Sequence, residues 1–421
     1  MRRPRGQQDG PAYGKSAKLP EMPRMDQSRL TVAFLNLGHF LDHLAMLIYA
    51  TAVLVMTSQF GLSYQETLPL SIGGFIAFGG GSLPAGWLGD RWGRRNMMVV
   101  FFLGLGAALV LAGLVTRGWQ IVAALTLIGV FASIYHPVGI AMLVNDQARV
   151  GRALGWNGVW GNLGLAFAAF IAGWFADHVS WRAAFIVPGV VTLAAGVAFA
   201  ILVPNAAAPA AKAAARPARH IPDALARRVF LVLTLATLCS GVIFAAATNA
   251  MPKIFDERLA ALVHSTSAIG TLVAVVYTIA AMAQLLVGQL IDRLTLRGIF
   301  LPLALLQVPL LLLAGMLSGW AMLAVAILMM FVVFGLIPIN DAMVARYAQE
   351  SWRARAFAVR YVVSFGASLP AIPLVAYLQP EASGFVPLFG VLAAIALGTL
   401  AAALLFPSGR PEAAAAPAPA E

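Results

Sequence analysis

Four polar side chains stand three and four positions apart in an otherwise apolar stretch: Asn36, His39, Asp42 and His43. On a helix this spacing puts them on one face. A carboxylate beside imidazoles can exchange protons near neutral pH, because each group's ionisation depends on the other's. A second polar group interrupts another apolar stretch at Ser133-Ile134-Tyr135-His136-Pro137. Pro137 lacks an N–H, so it frees a backbone carbonyl and can kink a helix there. Asp42, His39, His43 and His136 are therefore the candidates for a proton-coupling centre. The alternative reading is a static hydrogen-bonded core group that fixes helix packing.

The elements that must position these residues are membrane helices. The chain has 421 residues, 61% hydrophobic and 11% charged. A soluble domain carries about 25% charged residues, so this one cannot cover a water-facing surface of its size. About 20 apolar residues cross a bilayer as a helix. Twelve such stretches are expected, at 30–57, 67–88, 97–115, 119–143, 153–177, 181–203, 228–252, 264–289, 299–317, 319–345, 354–378 and 383–406. An ionisable residue inside a span is costly unless it is paired or wet, which marks it as a functional candidate. Asp42 lies near the middle of the first span, and His136 at a comparable depth in the fourth.

Further polar residues in the spans extend the set. Asn157, Trp160 and Asn162 of the fifth span, Arg360 of the eleventh, and Asn36 and Tyr135 are candidates to line a solute cavity. Gly155, Gly158, Gly161 and Gly164 recur every third residue and are expected to allow close helix approach. Asn340 and Asp341 are expected to pair with loop arginines, and Lys253, Asp256 and Glu257 to form a solvated outer face.

The net charge of +11 reports topology rather than a nucleic-acid partner. Of the 28 Lys and Arg, only Arg117, Arg182, Lys253 and Arg258 fall in or at the edge of the odd-numbered connections, and Arg360 lies well within a span. The rest lie on one side, which the positive-inside rule makes cytoplasmic, with both termini there. Residues 1–29 read as a disordered basic tail without signal-peptide character, 30–203 and 228–406 as two six-helix bundles, 204–227 as a cytoplasmic linker, and 407–421 as a second disordered tail. Cys239 is the single cysteine, so neither a disulfide framework nor a Cys-based metal site is expected, and no metal or cofactor is assigned.

Between the second and third spans runs Gly86-Trp-Leu-Gly-Asp90-Arg91-Trp-Gly93-Arg94-Arg95. The pattern resembles the loop signature of the major facilitator superfamily. Part of it recurs 202 positions later as Gly288-Gln-Leu-Ile-Asp292-Arg293, the mark of a duplicated six-helix unit. The resemblance implies an all-α membrane protein of twelve transmembrane helices, in two six-helix bundles related by a pseudo-twofold axis along the membrane normal. Such proteins hold their substrate site near mid-membrane and expose it alternately to either side. It also implies a conformational latch formed by Gly86, Asp90, Arg91, Gly93, Arg94, Arg95, Asp292 and Arg293, with Arg94, Arg353 or Arg355 as partners of Asp90. The alternative is that Asp90 only caps a helix and the arginines only set topology.

Gly38-His39-Phe-Leu-Asp42-His43, Tyr135-His136-Pro137 and the Gly161-Asn162-Leu-Gly164 stretch resemble, in matching order, elements of the fosmidomycin resistance protein family. The departures are Val138, where that family usually has an acid, and an acid shifted by one position at Asp42. This resemblance implies proton-coupled efflux of a small organic compound across the inner membrane by a monomer. Its partners would be the solute, protons and the lipid bilayer, and not nucleic acid. A proton symporter importing an organic anion would use the same residues. An enzyme is disfavoured, since no Gly-x-Ser-x-Gly, His-Glu-x-x-His or phosphate-binding glycine loop occurs. A non-transporting receptor or scaffold would be expected to lack the titratable stripe.

Overall fold

The structure, a computed structural model, describes residues 27–144, 150–204, 223–347, 360, 362–364, 366–378 and 384–408. Both expected tails beyond these bounds, most of the 204–227 connection, and Arg353 and Arg355 lie outside the described residues. Every described element is helical. The first half comprises α1 (Gln27–Phe60), the short α2 (Tyr64–Thr67), a 3-10 turn (Leu68–Ser71), α3 (Ile72–Trp92), α4 (Arg94–Leu114), α5 (Gly118–Ala132), a π turn (Tyr135–Gly139), α6 (Ile140–Val144), α7 (Val150–His178) and α8 (Trp181–Leu202). The second half comprises α9 (Asp223–Arg258), α10 (Thr266–Arg293), α11 (Leu296–Met316), α12 (Gly319–Tyr347), α13 (Ser368–Tyr377) and α14 (Val386–Leu405). Among the described residues, 11 helical stretches are long and apolar enough to span a bilayer, and Val362–Tyr377 adds a shorter apolar helix.

Local signals set the breaks. Ser63 accepts from the Glu66 backbone while Glu66 accepts from Ser63, satisfying end groups that lipid could not. Ser180, Ser265 and Thr295 cap α8, α10 and α11 with their side chains. Gly93 separates α3 from α4 at φ +102°, a conformation in which a Cβ would be strained. The outer surface is apolar, with Leu114, Trp119, Ile201, Met316 and Trp320 all largely exposed. In a membrane protein such residues face lipid, because only backbone and polar groups need shelter there.

Within the first half α1 packs on α7, α4 on α8, and α3 on α5; within the second, α10 packs on α12, α11 on α14, and α9 on α12, α13 and α14. The halves meet chiefly where α7 lies along α10. At the end away from the Gly86–Arg95 turn this contact is backbone on backbone. A Cβ at Gly173 would strike the Thr266 carbonyl oxygen, and one at Gly270 the Ala169 carbonyl oxygen. Two further contacts join the halves at that end. Asp177 Oδ2 accepts from the Ser267 backbone at 2.6 Å, and Lys253 Nζ lies 5.7 Å from the centre of the Tyr64 ring. Toward the other end the contact loosens: among the described residues, Gly155, Gly158 and Gly288 have nothing within 4 Å of where a Cβ would sit.

Two expectations change here. The glycines of α7 do not act alike. Gly161 admits the His39 ring and Gly164 the Phe40 carbonyl, whereas Gly155 and Gly158 face open space. The approach of α1 is limited to the stretch where those two groups need room. Lys253 is also not on a solvated face. It is partly buried, pairs with Asp256 at 2.9 Å and Glu257 at 3.4 Å, and bridges to Tyr64, because the neighbouring half covers it.

Gly270→Val should lower the thermal unfolding midpoint in detergent by the equivalent of about 1–3 kcal/mol, the usual cost of overpacking. Gly158→Ala should not lower it. Equal midpoints for Gly270→Val and wild type would contradict the close α7–α10 contact.

Candidate functional site

The polar residues of α1 converge with those of the fourth span because the chain opens into a π turn at Tyr135–Gly139. Pro137, inside that turn, has no N–H to donate, and such turns in an α-helix re-aim the residues they contain. The kink expected at Pro137 therefore takes the form of this widened turn. Tyr135 is directed back toward α1, where Gly38 and Gly139 leave room for its ring; a Cβ at Gly38 would lie 3.1 Å from the ring edge. The Tyr135 hydroxyl donates to the Leu35 carbonyl at 2.7 Å and accepts from Asn157 Nδ2 at 2.7 Å. Asn157 Nδ2 also donates to Asn36 Oδ1 at 3.0 Å. α1, the π turn and α7 are thus tied by side-chain hydrogen bonds in a medium that offers no water to replace them.

His39 sits at the centre. Its Nδ1 donates to the Asn157 backbone carbonyl at 2.7 Å, and its ring stacks on Tyr135 with centroids 4.8 Å apart. His39 Nε2 lies 3.1 Å from His43 Nε2. A carbonyl oxygen can only accept, so the proton of a neutral His39 is on Nδ1 and its Nε2 accepts from His43. His136 closes the group, with ring centroids 5.3 Å from His39 and 5.5 Å from His43. Its Nε2 lies 3.5 Å from Asp42 Oδ2. Asp42 is fully buried, and neither of its oxygens accepts a hydrogen bond within the described structure. Three imidazoles and one carboxylate therefore share a single buried neighbourhood. One ring nitrogen from each histidine lies within 4.8 Å of the other two. The sequence nominated these four residues together; that the three ring nitrogens fit around one point comes from the packing of α1 against the π turn.

Other candidates stand apart from this group. Trp160 is 37% exposed and lies edge-on to Phe40. Asn162 reaches the opposite half, where Gln284 Nε2 donates to its Oδ1 at 3.3 Å. Arg360 is buried and pairs with Asp341 at 2.7 Å; of the loop arginines expected to pair with Asp341, Arg353 and Arg355 lie outside the described residues. Asn340 donates to Ser240 Oγ at 3.3 Å. Arg360 and Asn340 are both buried, and inside a bundle such a group must take a partner on a packed helix. Gln284 was missed by sequence reasoning, although a lone amide in an apolar span was available as a signal. The Leu35 and Asn157 carbonyls carried no signal at all, since every residue has one.

The Gly86–Arg95 segment builds a compact corner. Asp90 Oδ1 pairs with Arg94 Nη2 at 3.3 Å, and Arg94 Nη1 donates to the Ala141 carbonyl at 3.1 Å. Arg95 donates from Nε to the Val203 carbonyl at 3.1 Å and from Nη2 to that of Ala200. These arginines satisfy carbonyls at the ends of α6 and α8, which have no helical donors of their own. Arg91 lies over the Trp87 ring at 5.2 Å. Gly86 and Gly89 let α3 approach Pro137 and Val138, so the corner packs directly on the π turn that carries His136. In the second half Arg346 donates to the Ile291 carbonyl at 2.7 Å, next to Asp292 and Arg293.

These features define a multi-pass helical membrane protein built from two related halves, with a buried polar centre between helices of the first. The chain belongs to the Major Facilitator Superfamily, whose family pattern matches residues 35–263. It is 32% identical over 110 residues to the puromycin resistance protein pur8 of Streptomyces alboniger, covering 25% of this chain and 22% of that one. It is 29% identical over 165 residues to a probable 4-methylmuconolactone transporter of Cupriavidus pinatubonensis, covering 37% and 39%. The matched stretches thus span well under half the length of these relatives. Among solved structures, a bacterial homologue of the human lysosomal transporter Spinster, inward-facing and occupied, superposes with a TM-score of 0.74 over 91% of this chain and 97% of that one. At 13% identity that likeness concerns the fold.

Tyr135→Phe and Asn157→Ala should each lower stability in detergent by about 1–3 kcal/mol, the cost of stranding a buried partner. The double variant should lose less than the two losses combined, by more than about 0.5 kcal/mol. Strict additivity would mean the Leu35–Tyr135–Asn157–Asn36 network does not act as a unit.

Proposed function

We propose that this protein is a proton-coupled secondary transporter that exports a small organic compound by alternating access, with both termini in the cytoplasm. The observation that carries the reading is the fully buried Asp42 carboxylate facing His136 at 3.5 Å, inside a bundle that spans the membrane. A carboxylate there is costly when charged, so it favours a proton or an opposite charge and changes state when either leaves. If proton and solute exclude one another, binding of each weakens the other by the same free energy, which is all that antiport requires. His39, His43 and His136 would pass the proton, and Asn36, Tyr135, Asn157, Trp160, Asn162 and Arg360 would face the solute on its way. The likeness to a puromycin resistance protein and the resemblance to the fosmidomycin resistance family support export of a drug-like compound.

Alternation has a structural basis in this reading. The tight backbone contacts of α7 with α10 lie at one end, and the open glycines at the end of the Gly86–Arg95 turn. The described arrangement would be the inward-open one, and Asp90 would re-pair when that end closes. A second reading, import of an organic anion with protons, is favoured by the buried Arg360 guanidinium, which an anionic solute could draw from the half-exposed Asp341. The likeness to a probable 4-methylmuconolactone transporter adds that lactone to the candidate solutes.

The test uses purified protein in liposomes with an imposed proton gradient and an internal pH dye. Puromycin and 4-methylmuconolactone are added in turn. Proton movement triggered by a solute should be seen with wild type and fall to the protein-free background with Asp42→Asn. Proton movement opposite to labelled solute supports antiport, and movement with it supports the import reading. Flux retained by Asp42→Asn would remove Asp42 from coupling. In the same vesicles Asp90→Asn should slow turnover by about tenfold, or about 1.4 kcal/mol of barrier, without changing the half-saturating concentration. Unchanged turnover would reduce the corner to a topological role.

A further inference from the structure

We propose that His39, His43 and His136 form a binding site for a divalent transition-metal ion of the Zn2+ or Co2+ class, with Asp42 supplying the balancing negative charge. The inference rests on the geometry of the cluster and holds whether or not protons are coupled to transport.

The ligand atoms are already gathered. One nitrogen from each ring lies within 4.8 Å of the other two, and His39 Nε2 and His43 Nε2 are only 3.1 Å apart. Two nitrogens bound to a tetrahedral ion at about 2.0–2.1 Å span an edge of about 3.3–3.4 Å. The His39–His43 pair therefore sits at nearly the spacing of two ligands. The widest separation would have to shorten by at most about 1.5 Å to reach that edge, within the range of a side-chain rotation at His136.

The outer contacts are those of ligating imidazoles. A metal-bound histidine commonly donates its far N–H to a carbonyl or carboxylate, which fixes the tautomer and turns the other lone pair toward the ion. His39 does this through Nδ1 and the Asn157 carbonyl at 2.7 Å, so its Nε2 lone pair is aimed into the cluster. His136 has the carboxylate version within reach, Asp42 Oδ2 at 3.5 Å from Nε2. Both oxygens of Asp42 are buried without a hydrogen bond, and a cation beside them would relieve a penalty already present. Imidazole and carboxylate donors without a thiolate suit Zn2+, Co2+ or Ni2+ better than Ca2+ or Mg2+. His43 and His136 keep a little exposure, which marks the side from which an ion would enter. A bound ion would hold α1 against the π turn, and it would occupy the lone pairs that protons otherwise take.

The full-length chain, purified without a polyhistidine tag, would be titrated with CoCl2 and followed by visible d–d absorption and equilibrium dialysis. The expected result is saturable binding of one Co2+ per chain, with the intense absorption of a low-coordinate site and a raised thermal midpoint. His43→Gln should weaken binding by more than about tenfold and Asp42→Asn by about tenfold. His264→Gln, an exposed histidine far along the chain, should bind as wild type. Elution and melting of metal-free His43→Gln check that it is folded. No saturable Co2+ binding by wild type, full binding by folded His43→Gln, or an equal loss in His264→Gln would each overturn the site. Because binding is read at equilibrium and without a gradient, its failure leaves the transport reading where it was.

Discussion

A carboxylate in the middle of a membrane bundle must find its partners within the protein. At the centre of a bilayer helix an aspartate costs about 2.5–3.5 kcal/mol on insertion scales, and no lipid group can hydrogen-bond it. Asp42 is fully buried, and the packing around it answers this constraint. His136 is brought to 3.5 Å by a π turn around Pro137. His39 and His43 fill the same helical face, and Tyr135 and Asn157 fasten the three helices that surround it. Pro137 is the local reason that the fourth span leaves α-helical geometry, and the widened turn is what presents His136 to Asp42.

The same logic connects the polar centre to the corner at the membrane surface. Gly86 and Gly89 bring α3 against Pro137 and Val138, so the turn bearing His136 is packed between the cluster and the Asp90–Arg94 pair. Arg94 then donates to Ala141, on the helix that continues from that turn. A shift of the corner has a contiguous packed route to the imidazole of His136. Val138, where the fosmidomycin resistance family usually has an acid, is buried against Gly89. An apolar residue is what that close contact accommodates.

Among the described residues the polar contacts between the halves are local. Asn162 meets Gln284, Asp177 meets the start of α10, and Lys253 covers Tyr64. Such contacts can be exchanged at modest cost, unlike the interlocked network inside the first half.

The sequence by itself determined the membrane class, the spans, the duplicated turn and most of the polar centre. Each of these rests on local periodicity: a 20-residue apolar run must be a helix in lipid, and residues three and four apart on it must share a face. Asn36, His39, Asp42 and His43 were legible for that reason, and His136 and Tyr135 through the proline beside them. Only the tertiary structure decided that Asp42 faces His136, that His39 donates to a backbone carbonyl of α7, and that three histidines fit around one point. It alone paired Arg360 with Asp341 and Asn162 with Gln284, and it separated Gly161 and Gly164 from Gly155 and Gly158. Those outcomes depend on which helix lies next to which and at what rotation, and that is set by the packing of many side chains at once rather than by the period of any one helix.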